Sequence, residues 1–324
     1  MINKKFFYIH KLYIFFLYIV LFLNITFLIP VNANIFKIKD LEISEPFELN
    51  FDKRKVINNG FKLAFDQLLS TISTSEDKKK LEKTSLASIK TLIDSFKISE
   101  ERFIENKYYA KIEVNFNKEL TLKFFEKKNI FPSIPKRKKI LFIPIFYDED
   151  SDQIYVFEQN KFYSQWNQSN ESFYLLEYIL PSEDLDDFKN IIQNKDNIEE
   201  YDFKEMISKY DLDDYIIAII FNNKNKIRIL SKINIKQNLK IHNFSENDFK
   251  LDSDVESKKL FRRLKLVYEN YWKATNRINT SIKLPLTIVL NSNDYKNIEE
   301  LEKTLFNLEL VSKFEIEKFD NNRI

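Results

Sequence analysis

Cysteine is absent from the 324 residues, glycine occurs once and histidine twice. Each shortage closes a class of chemistry. Without cysteine there is no thiol nucleophile, no thiolate zinc site and no iron–sulfur ligation. A chain entering an oxidising compartment without cysteine must also be held by its core alone. The one glycine, Gly60, falls inside a predicted helix, so the glycine-rich turns that cradle nucleotide phosphates cannot be built. Beyond His10 near the start, the only histidine is His242 in "KIHNFSEND", which reads as a solvent-facing loop residue. A serine triad or a two-histidine metal site therefore has almost no material to work with.

Acidic residues are also missing from the first 33 positions. These carry Lys4, Lys5 and Lys11, then an apolar run from Leu12 to Ile29 broken only by Asn24 and Thr26. Pro30 ends any helix, and Val31-Asn32-Ala33 follows with small or modest side chains. This charged, apolar, small-residue order predicts a signal peptide over 1–33 with cleavage after Ala33. The alternative is a retained anchor, because about 18 residues at about 1.5 Å each come close to spanning a bilayer. Either way the lysines stay in the cytoplasm and the body is exported. The expected location is the periplasm, or the inner membrane with the body in the periplasm.

After cleavage about 290 residues remain, enough for two domains of ordinary size. Apolar residues make up 44% of the chain, so cores can form and wholesale disorder is excluded. Losing the three leader lysines takes the formal charge from +2 to −1. A near-neutral body has no overall electrostatic reason to seek nucleic acid.

The pattern predicts an α/β (α+β) chain of two small mixed domains, 34–131 and 136–324, with 283–320 as a candidate separate β-α-β unit. In the first, Ile35, Phe36, Ile38, Leu41 and Ile43 suggest a strand. Asp52 then caps a helix with Ile57, Phe61, Ala64, Phe65, Leu68 and Ile72 on one face. A polar loop with a short helix follows over 71–80, then a hairpin turning near Glu105-Asn106-Lys107, and Asn117 starts a closing helix. The order is β-α-β-β-α. Pro132 and Pro135 with "KRKK" at 136–139 form a hydrated linker. Ile140 to Phe146 reads as a strand buried on both faces. The second domain is a mixed sheet flanked by helices. It continues with a helical turn over Asn160–Trp166, the strand "FYLLEYIL" and a helix capped by Ser182. A capping-box helix from Asp202 and a hairpin turning at 222–225 follow. A long helix over 253–276, the strand "LPLTIVL", a helix from Asp294 and a last strand end the chain.

"KKILFIPIFYDED", "IYVFEQNKFYSQWNQ", "YILPSEDLDDFKNI" and "ISKYDLDDYIIAII" together resemble a proteobacterial envelope family known only as the domain of unknown function numbered twenty sixty-six. Pro144, Asn160, Trp166, Pro181, Asp184, Asp187, Tyr210 and Asp214 would occupy its motif positions. Ser182 and Asp211 stand where its turns have glycine, and Phe157 where it has tryptophan. The resemblance implies place and fold; no activity is established for that family. The central portion also looks like small α/β domains of envelope assembly proteins, a likeness of fold alone.

Three sets of residues are candidates for chemistry. Asp148, Asp150 and Asp152 match the first ligand positions of a calcium loop. However, Gln153 replaces the required glycine and Gln159 the bidentate glutamate, so a solvated acidic turn is the stronger reading. Pairs among Asp148, Asp150, Asp184, Asp187, Asp211 and Asp214 could serve hydrolysis of an envelope glycan if held in one cleft; helix capping and edge solvation explain them more simply. Phe157, Asn160 and Trp166 form an aromatic stretch that could bind a partner, while Trp272 reads as core. The leading expectation is an exported, non-enzymatic binding or assembly module that uses sheet edges and this stretch to touch another envelope protein. It would need no cofactor, nucleotide or nucleic acid, and would meet the membrane only through an uncleaved leader. The alternatives are the carboxylate hydrolase and a signal-anchored structural subunit.

Overall fold

The computed structural model describes residues 36–168, 171–224, 226–250, 253–279, 282, 284–292, 294–308, 311 and 313–318. The expected leader and its cleavage position Ala33 lie outside the described residues. The chain has mixed α/β structure in two compact units. One spans Ile35–Val289 and holds both sheets; the other contains the described residues after Val289.

The first sheet grows from alternation. Strands β1 (Lys37–Pro46), β2 (Ile93–Ile104) and β3 (Lys107–Phe116) pair antiparallel in the order β1-β3-β2. Along β3, Tyr108, Ala110, Ile112, Val114 and Phe116 are buried, while the residues between them face water. Helix α1 (Lys53–Ile72) lies on that buried face, its first turn capped by the Asp52 carboxylate accepting from the Arg54 N–H at 2.8 Å. Gly60 sits where α1 meets β3 most closely, and a Cβ there would overlap Ile112 Cδ1. Two short helices, α2 (Ser75–Leu81) and α3 (Leu86–Leu92), precede β2, and α4 (Lys118–Lys127) follows β3 behind its Asn117 cap. The expected β-α-β-β-α order, with its short helix over 71–80, thus becomes β-α-α-α-β-β-α: α2 stands where the short helix was expected and α3 is additional. Thr74 and Ser85 cap these two helices, whose seven residues are too few to show a 3.6-residue period.

The glycine shortage has a structural counterpart in the turns. Glu105 and Asn106 join β2 to β3 with φ of 51° and 57°, the two-residue hairpin geometry that favours glycine. A left-handed non-glycine residue costs about 1 kcal/mol, which the flanking ladder offsets.

The second sheet is built around a strand buried on both faces. Strand β4 (Lys138–Asp148) pairs parallel with β6 (Leu176–Ile179) and β7 (Tyr215–Asn223), and antiparallel with β5 (Gln153–Tyr155). Strands β8 (Lys226–Ile235) and β9 (Asn238–Glu246) extend it antiparallel beyond β7. Ile140, Phe142 and Phe146 enter one core with Phe162, Trp166 and the long helix α8 (Asp254–Thr275). Leu141, Ile143 and Ile145 enter the other with Ile191 of α6 (Leu185–Gln193) and Met206 of α7 (Lys204–Ser208). The short helix α5 (Lys161–Ser164) lies on the α8 side. Helix α5 and Trp166 of the β4-to-β6 connection therefore lie over one face, after Val156 and Phe157 have packed on the other, where the β6-to-β7 connection also runs.

Several sequence expectations are corrected here. The cap of α6 is Asp184, not Ser182: its carboxylate accepts from the Asp186 and Asp187 N–H groups at 2.9 and 3.0 Å. His242 belongs to β9, half-buried and facing the Tyr271 ring, not to a loop. Residues 284–292 contain no strand, so "LPLTIVL" finds no ladder partner. In the smaller unit Asp294 caps α9 (Tyr295–Asn307), but the described residues 313–318 after it are not a strand, and the β-α-β unit over 283–320 is absent among the described residues.

The linker over 132–139 is also not a free tether. Ser133 is buried, its N–H donating to Ile72 O at 2.7 Å, and Ile134 N–H donates to Asn276 O at 2.9 Å. Trp272 Nε1 donates to Lys136 O at 2.8 Å, and Lys138 and Lys139 begin β4. Around this crossing, α8 reaches α1 and α2. Asn270 accepts from Ser75 N–H at 2.9 Å, Arg277 donates to Asp77 at 2.8 Å, and Lys273 donates to Ser70 O. Buried polar groups satisfied across two layers lock their relative position.

Candidate functional site

The structure takes the expected binding stretch out of play. Phe157 is 5% exposed and Asn160 and Trp166 are 0% exposed. Asn160 Nδ2 donates to Pro144 O at 3.0 Å, and its Oδ1 accepts from Phe162 N–H at 2.9 Å. Trp166 stacks on Phe142 at 4.1 Å between ring centres, beneath α8. These residues fix β4 to α5 and have no side-chain surface left for a partner. Trp272 is core as expected.

The acidic candidates are separated in the same way. Asp148 accepts from Ser151 Oγ at 2.5 Å and Asn222 Nδ2 at 2.9 Å, while Asp150 accepts from Lys224 N–H at 2.5 Å. Asp152 is bound by Lys195 at 2.5 Å and by the Tyr147 hydroxyl at 2.7 Å. Burial works to raise the Asp148 pKa, but hydrogen bonds from Ser151, Asn222 and the turn backbone outweigh it and hold the group below its ordinary value. Lys195 and then Tyr147 lower Asp152 likewise. Each carboxylate is stabilised by its own partners, and the three do not converge as metal ligands. Among the described residues no group of three His, Asp or Glu side chains could hold a metal ion.

Of the hydrolase pairs, Asp148 and Asp214 lie far apart, and Asp184 and Asp187 are tied to one lysine. Asp148 ends β4 opposite Asn222, whereas Asp214 precedes β7 and is bound by Lys138 at 3.0 Å and Lys236 N–H at 2.7 Å. Eight residues of strand at about 3.3 Å each put them roughly 26 Å apart. Asp184 and Asp187 share Lys209, at 2.9 and 2.8 Å. The Asp187 N–H, followed by Lys209, holds the Asp184 pKa below its ordinary value, and the two carboxylates raise that of Lys209. The positions that carry the family resemblance are therefore occupied by structural clasps; Tyr210, for example, accepts from Ser182 N–H at 2.6 Å.

Sheet edges were expected to serve recognition, but the sequence did not say which strand is one. Strand β2 pairs with β3 on one side only and is exposed along most of its 12 residues. Its helix-side row runs Ile93, Phe96, Ile98, Glu101 and Phe103, and Phe96 lies edge-on to Phe61 at 5.0 Å. Glu101 is held by Lys53 at 2.5 Å and the Tyr108 hydroxyl at 2.6 Å, and these two bonds lower its pKa. Phe103 follows, 5.0 Å from Phe47 and 5.2 Å from Tyr108. Phe103 is 61% exposed, Phe47 49% and Ile104 47%. A bulge between Ile98 and Glu100 leaves Glu100–Ile104 as the regular run next to this patch. The available signal was the missing alternation of β2, set beside the clean alternation of β3.

No family model matches the chain, and no curated protein matches it. One solved structure, titled only as the crystal structure of an uncharacterized protein, aligns over 43% of this chain and 91% of its own, at 10% identity and a TM-score of 0.17. Among the described residues no helix is long and apolar enough to cross a membrane.

Proposed function

We propose that this chain is an exported module of the cell envelope that binds another envelope protein by taking an extended segment of it against the free edge of β2. The observation that carries the reading is this long strand, unpaired on one side, with exposed Phe103 near its end beside Phe47. Natural edges are normally shortened, covered or charged, because free N–H and C=O groups accept another strand. Where an edge serves recognition, main-chain bonds supply affinity and side-chain contacts at alternate positions supply selectivity. Glu100 to Ile104 offers the first, and the Phe47–Phe103 pair offers the second to a segment with apolar side chains.

Export rests on the leader pattern over 1–33, and the resemblance to the family numbered twenty sixty-six supports the envelope as its place. The test is a photo-reactive phenylalanine analogue placed at Phe96 or Phe103 in living cells, with exposed Leu185 on α6 as the control position. Adducts to one envelope protein from 96 and 103 but not 185 are expected. No adduct, or equal adducts at 185, would sink the reading. Sequencing the mature N-terminus separates a cleaved module, beginning at Asn34, from a signal-anchored subunit that keeps Met1.

A further inference from the structure

Parallel strands present their carboxyl ends at one end of a sheet, and a crevice opens there when the connections on either side of a strand leave for opposite faces. Strand β4 meets that condition. Helix α5 and Trp166 in its connection to β6 lie on the α8 side, and the connection that enters β7 lies on the α6 and α7 side. A cleft of about 700 Å³ opens at the carboxyl ends of β4 and β7, within the size range of small-molecule sites.

The lining of this cleft has two parts. Rings of Phe146, Phe162 and Phe249, each less than a tenth exposed, form an apolar floor. Over it stand Lys224 and Lys250, both exposed, neither with a carboxylate partner at salt-bridge distance among the described residues. The third lysine of the cleft, Lys161, is paired with Asp254 at 3.4 Å. The cleft carboxylate, Asp148, is already engaged by Ser151 and Asn222. Asp150 and Glu256 are not among the lining residues and accept from the main-chain N–H of Lys224 and Lys250 at 2.5 and 2.6 Å. The cleft is therefore lined by aromatic rings and by two lysine side chains that have no carboxylate partner at salt-bridge distance among the described residues.

From this we infer a binding site for a small amphipathic monoanion: a carboxylate carried on an aromatic or short acyl body. The body covers the phenylalanine floor, and the carboxylate bridges the Lys224 and Lys250 ammonium groups in charge-assisted hydrogen bonds. This goes beyond partner docking at β2 and does not rest on it.

Calorimetry on the full chain with phenylpropionate and octanoate, each beside its matching alcohol, tests the site. Both acids are expected to bind and each alcohol to bind at least about tenfold more weakly. The double variant Lys224→Gln, Lys250→Gln is expected to weaken acid binding by about tenfold or more. Its thermal unfolding should stay unchanged, since both side chains are exposed. Inorganic phosphate is expected to bind more weakly than either acid, for want of a body to cover the floor. Equal binding of acid and alcohol, unchanged affinity in the double variant, phosphate as tight as the acids, or no heat from either acid would each overturn the assignment.

Discussion

In the three-stranded sheet, Tyr108, Ala110, Ile112, Val114 and Phe116 of β3 are buried while Tyr109, Lys111, Glu113 and Asn115 reach the surface. In the six-stranded sheet every residue from Ile140 to Phe146 is buried. One sheet carries helices on a single face and keeps ion pairs such as Lys37–Glu113 and Lys111–Glu42 on the other. The larger one is covered on both faces around β4 and β7. The difference decides where each can meet another molecule. A sheet covered on both faces has its strand ends and outer edges left to offer, and a sheet covered on one face keeps a solvent face as well. The cleft lies at strand ends of the larger sheet, and the β2 edge belongs to the smaller.

The sharpest way to break this contrast is through the doubly covered core. Trp166→Ala should destabilise the chain by about 3–5 kcal/mol, the range for truncating a buried aromatic, read by chemical denaturation. A loss below about 1 kcal/mol would mean that Trp166 is not the packed floor of that core. Next is the joint between the sheets. Lys273 and Glu269 are both buried, 3.8 Å apart, and burial shifts each toward its neutral form, raising Glu269 and lowering Lys273. Lys273→Met leaves Glu269 and Ser70 O without that partner and should cost about 3 kcal/mol. Hydrogen exchange at the end of α1 should speed up with it, and unchanged exchange there would show that the two sheets are stabilised independently.

A smaller effect follows from Lys265, which lies 5.3–5.9 Å from the rings of Trp166, Tyr174 and Tyr178 and is 1% exposed. Burial lowers its pKa from 10.5 to about 8. Between those values the unfolded chain holds a proton that the folded chain does not, so stability rises with pH across this window. Relative to Lys265→Met, the natural chain should gain up to about 3 kcal/mol from pH 8 to 10.5; parallel curves would mean the ammonium is not desolvated. The smallest effect belongs to the acidic turn. Asp150→Asn should change stability by less than about 0.5 kcal/mol, and calcium should give no heat with either chain. A calcium signal lost in that variant would restore the metal reading.

The legible parts of this fold are the ones with long periods or strong caps. Alternation marked β3, the unbroken apolar run marked β4, and Asp52, Asn117 and Asp294 marked helix starts. The seven-residue helices α2 and α3 are too short to carry a period. "LPLTIVL" has strand composition, but composition does not supply a ladder partner. The site was hidden for another reason. Phe157–Trp166 combines aromatic and polar residues as an interface does, and only the packing of α8 over it shows that it is interior. Phe103, Lys224 and Lys250 became visible only once topology set which strand is an edge and which strand ends meet.

The clasp between α8 and the first sheet also imposes an order of events. Ser70, Ser75 and Asp77 belong to the early part of the chain, and their partners Lys273, Asn270 and Arg277 arrive some two hundred residues later. A polypeptide emerging N-terminus first must keep its opening lobe unfastened until nearly all of the larger unit has appeared. Premature termination before Ser253 would leave that lobe with its polar groups bare, a mark by which quality-control proteases could tell a finished molecule from a fragment.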